Sequence, residues 1–156
     1  MRAKAPRRAL LRLLAATALL AACHHSDADV IKAKLAKATD AAEDADVRGV
    51  TDFVAEDFKA GDEFDKAALK GYLAGRLLRG DKITIVRRNE AVTVDGANAT
   101  ASFDAALLSG DRKQLKGLVP NRLGSYHFDL TLQKRDGDWL VTKAAWKQIP
   151  ATELVL

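Results

Sequence analysis

Residues 123–149 read LGSYHFDLTLQKRDGDWLVTKAAWKQI, and this stretch decides the fold that the sequence predicts. Apolar and polar side chains alternate through its first half, which is the period of a strand with one buried face. The turn sequence Asp136-Gly137-Asp138 separates this half from a second run that opens with Trp139. An Asp-Gly turn between two such runs is typical of an antiparallel hairpin. We therefore predict neighbouring strands over residues 123–135 and 139–149.

The alternation also assigns a face to each side chain of the central strands. The inward, apolar face is predicted to carry Tyr126, Phe128, Leu130, Leu132, Ala101, Phe103 and Ala105. The outward, wet face is predicted to carry Ser102, Asp104, His127, Asp129, Thr131 and Gln133. The last strand breaks the pattern, because Trp139 and Val141 lie in one phase while Leu140, Ala144 and Trp146 lie in the other. We expect both of its faces to be covered.

At Gly80 the spacing of the apolar residues changes from the period of a helix to the period of a strand. Further strands are predicted between Gly80 and the quoted stretch, over residues 82–87, 91–94 and 97–108. Three helices are predicted before Gly80: one capped by Asp27 or Asp29, one after Asp44 or Asp46, and one capped by Asp65. Their apolar stripes are Ile31, Leu35, Ala38, Ala42 and Ala45; Val47, Val50, Phe53, Val54 and Phe58; and Leu69, Tyr72, Leu73, Leu77 and Leu78.

Helices followed by a mostly antiparallel sheet with one apolar face predict an α+β domain in which the helices pack on that face. The order of the elements, the Gly137-Asp138-Trp139 opening of the last strand and the Glu56-Asp57-Phe58 end of the second helix resemble the nuclear transport factor 2-like superfamily. The resemblance covers residues 27–149 and implies a cone, in which a curved sheet and the helices enclose a pocket. It also implies a homodimer formed through the outer face of the sheet.

The N-terminal segment is typical of an export signal, since four basic residues among the first eight precede an apolar run over residues 13–22. That run is too short for a spanning helix, which needs about 20 residues. It ends in Leu20-Ala21-Ala22-Cys23, which resembles the bacterial lipobox. The resemblance implies cleavage after Ala22 and attachment of lipid to Cys23. We therefore divide the chain into a signal peptide (1–22), a lipidated tether (23–28) and one domain (29–156).

Removal of the signal peptide changes the charge of the protein. The formal net charge of the whole chain is +4, and loss of the five basic residues in the signal leaves −1 for the exported chain. The basic balance therefore gives no support for a nucleic-acid partner. Cys23 is the only cysteine, so the domain is predicted to fold without a disulfide.

The superfamily includes isomerases, dehydratases and binding modules, so the fold alone does not decide function. The predicted inward residues include no general base, and we find no metal-ligand or cofactor-binding motif. We expect a non-enzymatic module that binds a small apolar ligand or a protein partner. Its ligand-binding residues are predicted to be Tyr72, Phe103, Tyr126, Phe128 and Trp146. One alternative is an isomerase-type or dehydratase-type enzyme that uses Tyr72, Tyr126 and Asp57. Another is a structural subunit of an envelope complex whose core is filled.

The lipobox generates a prediction about the anchor. Replacing Cys23 by Ser should abolish palmitate incorporation and release the protein from membranes, because two or three acyl chains are needed for stable anchoring. His24, rather than Asp, follows the cysteine, and by the sorting behaviour of such lipoproteins we expect the outer membrane, facing the periplasm. A Cys23→Ser protein that still carried label and still sedimented with membranes would contradict the lipobox interpretation.

Overall fold

The computed structural model describes residues 26–80, 82–110 and 122–150. The predicted signal peptide, Cys23, His24 and most of the loop between residues 109 and 121 lie outside the described residues. Within them, the helices are α1 (Asp27–Glu43), α2 (Val47–Thr51) and α3 (Lys66–Arg79). In the described part of the chain, no helix is both long enough and apolar enough to cross a membrane.

The strands form one six-stranded sheet. They are β1 (Val54–Ala60), β2 (Phe64–Asp65), β3 (Ile83–Asp95), β4 (Asn98–Ser109), β5 (Arg122–Arg135) and β6 (Asp138–Gln148). Their order across the sheet is β2-β1-β6-β5-β4-β3, and every neighbouring pair is antiparallel except β1 and β6. The predicted α+β class and the mostly antiparallel sheet are confirmed. We call the end of the sheet with the β3–β4 and β5–β6 turns the hairpin end, and the opposite end the mouth end.

Local capping chemistry determines where the helices begin and end. Asp65 caps α3 by accepting a hydrogen bond from the N–H of Ala68, and Gly80 ends it at φ 68°, as predicted. The predicted cap of α1 was wrong by one to three residues, because the N-cap is Ser26, which accepts from the N–H of Asp29. Asp27 and Ala28, which we assigned to the tether, are therefore the first residues of α1.

The predicted second helix is mostly a strand. Its helical part ends at Thr51, and Val54–Ala60 forms β1, which runs parallel to β6. Glu56 and Asp57 are exposed on this strand while Phe58 is buried, so the Glu56-Asp57-Phe58 motif does not end a helix. The spacing of the apolar residues in this segment fits a helix as well as a strand. The strand forms because β6 offers partners for its backbone hydrogen bonds.

Strand β2 was not predicted, and two β-bulges account for further differences from the predicted strands. The predicted strands at 82–87 and 91–94 are one strand, β3, interrupted by a bulge between Arg88 and Ala91. In β6 a shift lies between the pairs Thr131–Lys143 and Leu132–Val141, so Thr142 is the extra residue. An extra residue reverses the alternation beyond it. The bulge therefore brings Ala144 and Trp146 to the same face as Trp139 and Val141, while Leu140, which precedes the bulge, stays on the other face.

The core lies between this inner face and the helices. Its most completely buried large side chains are Trp139, Ile31 and Leu132, which are at most 1 % exposed. Phe103 and Leu130 pack against this core but are only partly buried, as is Phe128. Of the predicted α3 stripe, Leu73 is buried and Leu69 partly so, but Tyr72, Leu77 and Leu78 are exposed because α3 packs mainly on β1 and β2 rather than over the centre of the sheet.

Burial at Leu132 predicts a large effect of truncation there. Leu132→Ala should lower the free energy of unfolding by about 2–5 kcal/mol, because it removes buried methyl groups and leaves a cavity. Leu78→Ala is the matched control, since that side chain is 87 % exposed and its loss should change the free energy of unfolding by no more than about 0.5 kcal/mol. Equal denaturation midpoints for the two variants would contradict the assignment of the core.

Candidate functional site

A pocket of about 600 Å³ opens at the mouth end, between the last turns of α3 and the ends of β3, β4 and β5. Its described lining is Tyr72, Arg76, Arg79, Gly80, Lys82, Ile83, Leu107, Ser109, Gly110 and Tyr126. This volume lies within the range of about 300–1,000 Å³ that small-molecule sites occupy.

The end of α3 supplies one wall of the pocket. The N–H of Gly80 donates to the carbonyl groups of Arg76 and Leu77, which closes the last turn of the helix. Arg76 and Arg79 both lie in that turn, where cations are favoured by the helix dipole. The side chain of Arg79 runs back along the helix, since a Cβ placed on Gly75 would lie 3.5 Å from its Nη1.

Tyr126 on β5 supplies the opposite wall. Its ring lies over Gly124, where a Cβ would be 2.6 Å from Cε2 and 2.8 Å from the hydroxyl oxygen of Tyr126. Real Cβ atoms do not approach a neighbour so closely, so any larger residue at position 124 would push the ring away. The absence of a side chain at Gly124 therefore positions Tyr126 in the pocket lining.

An aromatic cluster continues inward from Tyr126. Phe128 contacts Tyr126 at 6.4 Å between ring centroids, stacks on Phe103 at 5.2 Å and meets Trp146 at 6.3 Å. Trp146 in turn packs edge-on against Phe64. The structure thus brings four of the five predicted ligand-binding residues together, but of the five it places only Tyr72 and Tyr126 in the pocket lining. Ligand binding by any of them stays a prediction.

The lining has a strong electrostatic character that the sequence-based prediction missed. It contains three cationic side chains, those of Arg76, Arg79 and Lys82, and no carboxylate or imidazole among the described lining residues. Arg76 is half-buried, and none of the described carboxylates forms an ion pair with it. Arginines in the last turn of a helix are ordinarily explained by the helix dipole, so sequence pattern alone gave no reason to assign them to a site.

Asp57, which the enzyme alternative placed at the pocket, does not line it. Arg135 donates to both of its carboxylate oxygens, at 2.7 and 2.9 Å, and these hydrogen bonds lower the pKa of Asp57. In the structure Asp57 is thus held by Arg135, outside the described lining of this pocket. Its carboxylate links β1 to the end of β5 instead.

A second polar group lies on the other face of the sheet, and we call Asn89, Asp104, His127 and Asp129 the outer-face cluster. Asn89 Nδ2 donates to one oxygen of Asp104 at 2.7 Å, while His127 Nδ1 lies 2.6 Å from the other and His127 Nε2 lies 3.4 Å from Asp129. Asn89 adopts φ 54° at the β3 bulge, a conformation that asparagine tolerates. The predicted wet face is thus partly wrong, because Asp104 is only 9 % exposed.

The outer face also carries an apolar group. Ala106 and Ile149 are buried there, with Val86 and Leu108 packed against them. Among the described residues, no group of three or more His, Cys, Asp or Glu side chains could hold a metal ion.

No protein-family model and no curated protein sequence matches this chain. Solved structures do. A Mycobacterium tuberculosis protein of unknown function has a TM-score of 0.64 at 18% identity, covering 81% of this chain and 79% of its own. An NTF2-like protein with a cystatin-like fold from Novosphingobium aromaticivorans has a TM-score of 0.64 at 17% identity, covering 78% and 80%.

The chain has the nuclear transport factor 2-like, cystatin-like fold. Another structure with this fold, also from N. aromaticivorans, is described as a candidate scytalone dehydratase; it has a TM-score of 0.62 at 13% identity and covers 77% of this chain and 82% of its own. At such low identities the likeness shows the fold alone, and proteins with the nuclear transport factor 2-like fold differ in chemistry.

The outer-face cluster predicts a pH dependence of stability. Hydrogen bonds from Asn89, and then His127, hold the pKa of Asp104 below its ordinary value. A carboxyl group whose pKa is lowered by folding stabilises the protein above its unfolded pKa of about 3.9 and loses that contribution as the pH falls through the folded pKa. Asp104→Asn should therefore lower the free energy of unfolding at neutral pH, and the difference from wild type should shrink below about pH 4.

Urea denaturation of both proteins from neutral to acidic pH measures this difference. Asp52→Asn is the control, since this exposed carboxylate should change the free energy of unfolding by no more than about 0.5 kcal/mol. A difference between Asp104→Asn and wild type that did not vary with pH would mean that folding does not stabilise the Asp104 carboxylate.

Proposed function

We propose that the chain is a lipid-anchored envelope protein whose domain holds a small, largely apolar ligand in the mouth pocket without transforming it. The observation that carries this proposal is the pocket itself, a cavity of about 600 Å³ whose lining combines the rings of Tyr72 and Tyr126, Ile83 and Leu107 with three cationic side chains. Concave sites lined by apolar and aromatic side chains, with a few polar groups, are the usual form of a small-molecule site.

Binding is favoured over turnover because of the titratable groups that face the cavity. General acid–base catalysis needs a group that exchanges a proton near the working pH, within hydrogen-bond reach of the substrate. The described lining offers guanidinium, ammonium, phenol and hydroxyl groups, and none of these ordinarily titrates near neutral pH. The imidazole of His127 lies on the opposite face of the sheet, next to Asp104.

The proposed anchor at Cys23 is compatible with free access to the pocket. Ser26 precedes α1, which starts at the hairpin end, where Asp27 accepts from Trp139 Nε1 at 3.0 Å. The 12 residues of β4 separate this end from the mouth by about 40 Å. The segment from Cys23 to Ser26 reaches at most about 11 Å. Such an anchor would hold the hairpin end at the bilayer and leave the mouth open to the aqueous compartment.

The proposed location is the outer membrane, with the domain in the periplasm, and the proposed assembly is a homodimer through the outer face of the sheet. Density-gradient separation of the two membranes would test the location. Analytical ultracentrifugation of the exported chain carrying Cys23→Ser would test the assembly. A monomer at all accessible concentrations would remove the dimer from the proposal and leave the pocket unaffected.

The pocket is tested with a neutral apolar probe, N-phenyl-1-naphthylamine, whose fluorescence rises in apolar surroundings. The exported chain carrying Cys23→Ser should bind one probe per chain saturably. Gly124→Val should weaken this binding by about fivefold, because displacing the Tyr126 ring removes a contact that contributes about 1 kcal/mol.

Gly71→Val is the matched control, since a Cβ at Gly71 meets nothing within 4 Å and the residue lies on the exposed side of α3. This variant should bind the probe as wild type does. Absence of saturable binding, or equal binding by the Gly124→Val variant, would refute ligand binding at this pocket.

A further inference from the structure

Arg76 is a half-buried cation of the pocket for which the described residues supply no anionic partner. Three other arginines each contact a carboxylate: Arg48 contacts Asp52, Arg87 contacts Glu90 and Arg135 contacts Asp57. Arg76 lines the cavity, and no described carboxylate forms an ion pair with it. A guanidinium group partly removed from water is stabilised when an anion replaces the lost hydration.

Two further groups can act on the same anion. Lys82, which immediately precedes β3, lines the pocket, and no described carboxylate forms an ion pair with it. The Tyr126 ring, held over Gly124, turns its hydroxyl toward the mouth end of β5. A guanidinium fork, an ammonium group and a phenol together are suited to carboxylate, sulfonate or phosphate oxygens.

The rest of the lining would contact an apolar body. Tyr72, Ile83 and Leu107 offer rings and methyl groups around the same cavity. A free inorganic anion would leave most of a 600 Å³ cavity unfilled and these surfaces in water. The lining therefore suits a molecule with one apolar part and one acidic group.

On the basis of the proposed function, we infer that the ligand is an anionic amphipath, a small molecule whose aryl or alkyl body lies between Tyr72 and Tyr126 and whose single acidic group contacts Arg76 and Lys82. This assignment adds one acidic group to the largely apolar ligand of the proposed function. It also gives Arg76 the role of the principal specificity-determining residue.

Two probes that differ by one group test the inference. 8-Anilinonaphthalene-1-sulfonate is N-phenyl-1-naphthylamine with a sulfonate added, so the ratio of their dissociation constants measures what the acidic group contributes. The exported chain carrying Cys23→Ser should bind the sulfonate about tenfold more tightly than the neutral probe, because hydrogen bonds to a charged group are stronger than those to a neutral one.

Arg76→Gln should remove most of this preference, measured as the ratio of the two dissociation constants, and Lys82→Gln should reduce the preference less. Arg48→Gln is the matched control, since it removes an exposed arginine on α2, away from the pocket, and should leave the preference intact. Circular dichroism and the thermal midpoint verify that each variant is folded. Added salt should weaken binding of the sulfonate and not of the neutral probe.

The outcomes separate the inference from the proposed function on which it rests. Equal affinity for both probes, unchanged in Arg76→Gln, would overturn the inference while the pocket remained a ligand site. Loss of the preference in Arg48→Gln as well would also overturn it, because the sulfonate would then respond to overall charge. Failure of both probes to bind saturably would refute the proposed function itself.

Discussion

The placement of Trp139 is the constraint on which the rest of the structure depends. Its side chain is 1 % exposed, and its Nε1 donates to Asp27 at the start of α1. Lys134 contacts both the same carboxylate and the face of the indole ring, and Lys34 of α1 donates to the Trp139 carbonyl at 3.0 Å. The first helix is therefore fixed to the β5–β6 hairpin by the residue that also fills the end of the core.

The bulge at Thr142 transmits this constraint to the other end of the sheet. Trp139 and Val141 face the core on one side of it, and beyond it Ala144 packs against the same core. Trp146 thereby joins Phe128 instead of lying on the outer face. Without the extra residue, a single strand could not bury one end on the helices and still contribute to the aromatic cluster at the other.

The sequence predicted what local chemistry determines. The Asp65 cap, the Gly80 helix end and the alternating faces of β4 and β5 each depend on residues close in sequence, and these were confirmed. Strand β1 was not predicted, because its partner β6 lies at the far end of the chain and the spacing of Val50, Val54 and Phe58 fits a helix as well. Bulges were also missed, since an extra residue is defined by the partner strand.

The candidate site was predicted only in part, for a related reason. Tyr72 and Tyr126 lie in the pocket lining because one is on α3 and the other on an inward position of β5. The chemical character of the pocket comes from Arg76 and Lys82, which flank the end of a helix. Nothing in the spacing of two cations shows whether they face solvent or a cavity, because this depends on where α3 packs.

The packing of α3 explains why a cavity persists at the mouth end. Residues 66–73 of this helix are held firmly, by the Asp65 cap, by Lys66 donating to Glu56 and the Val54 carbonyl, and by burial of Leu73. In its C-terminal half Leu77 and Leu78 are 54% and 87% exposed, so little apolar area holds that half against the sheet.

Because α3 is held mainly at its N-terminal end, its C-terminal end forms one wall of the pocket without packing closely on the strands. Because few of its side chains are buried, this end of α3 is expected to have low local stability. On this side α3 presents Tyr72, Arg76 and Arg79 to the cavity instead of aliphatic side chains that would fill it. The protein therefore buries less apolar area here, at the position where a bound ligand would bury apolar area of its own.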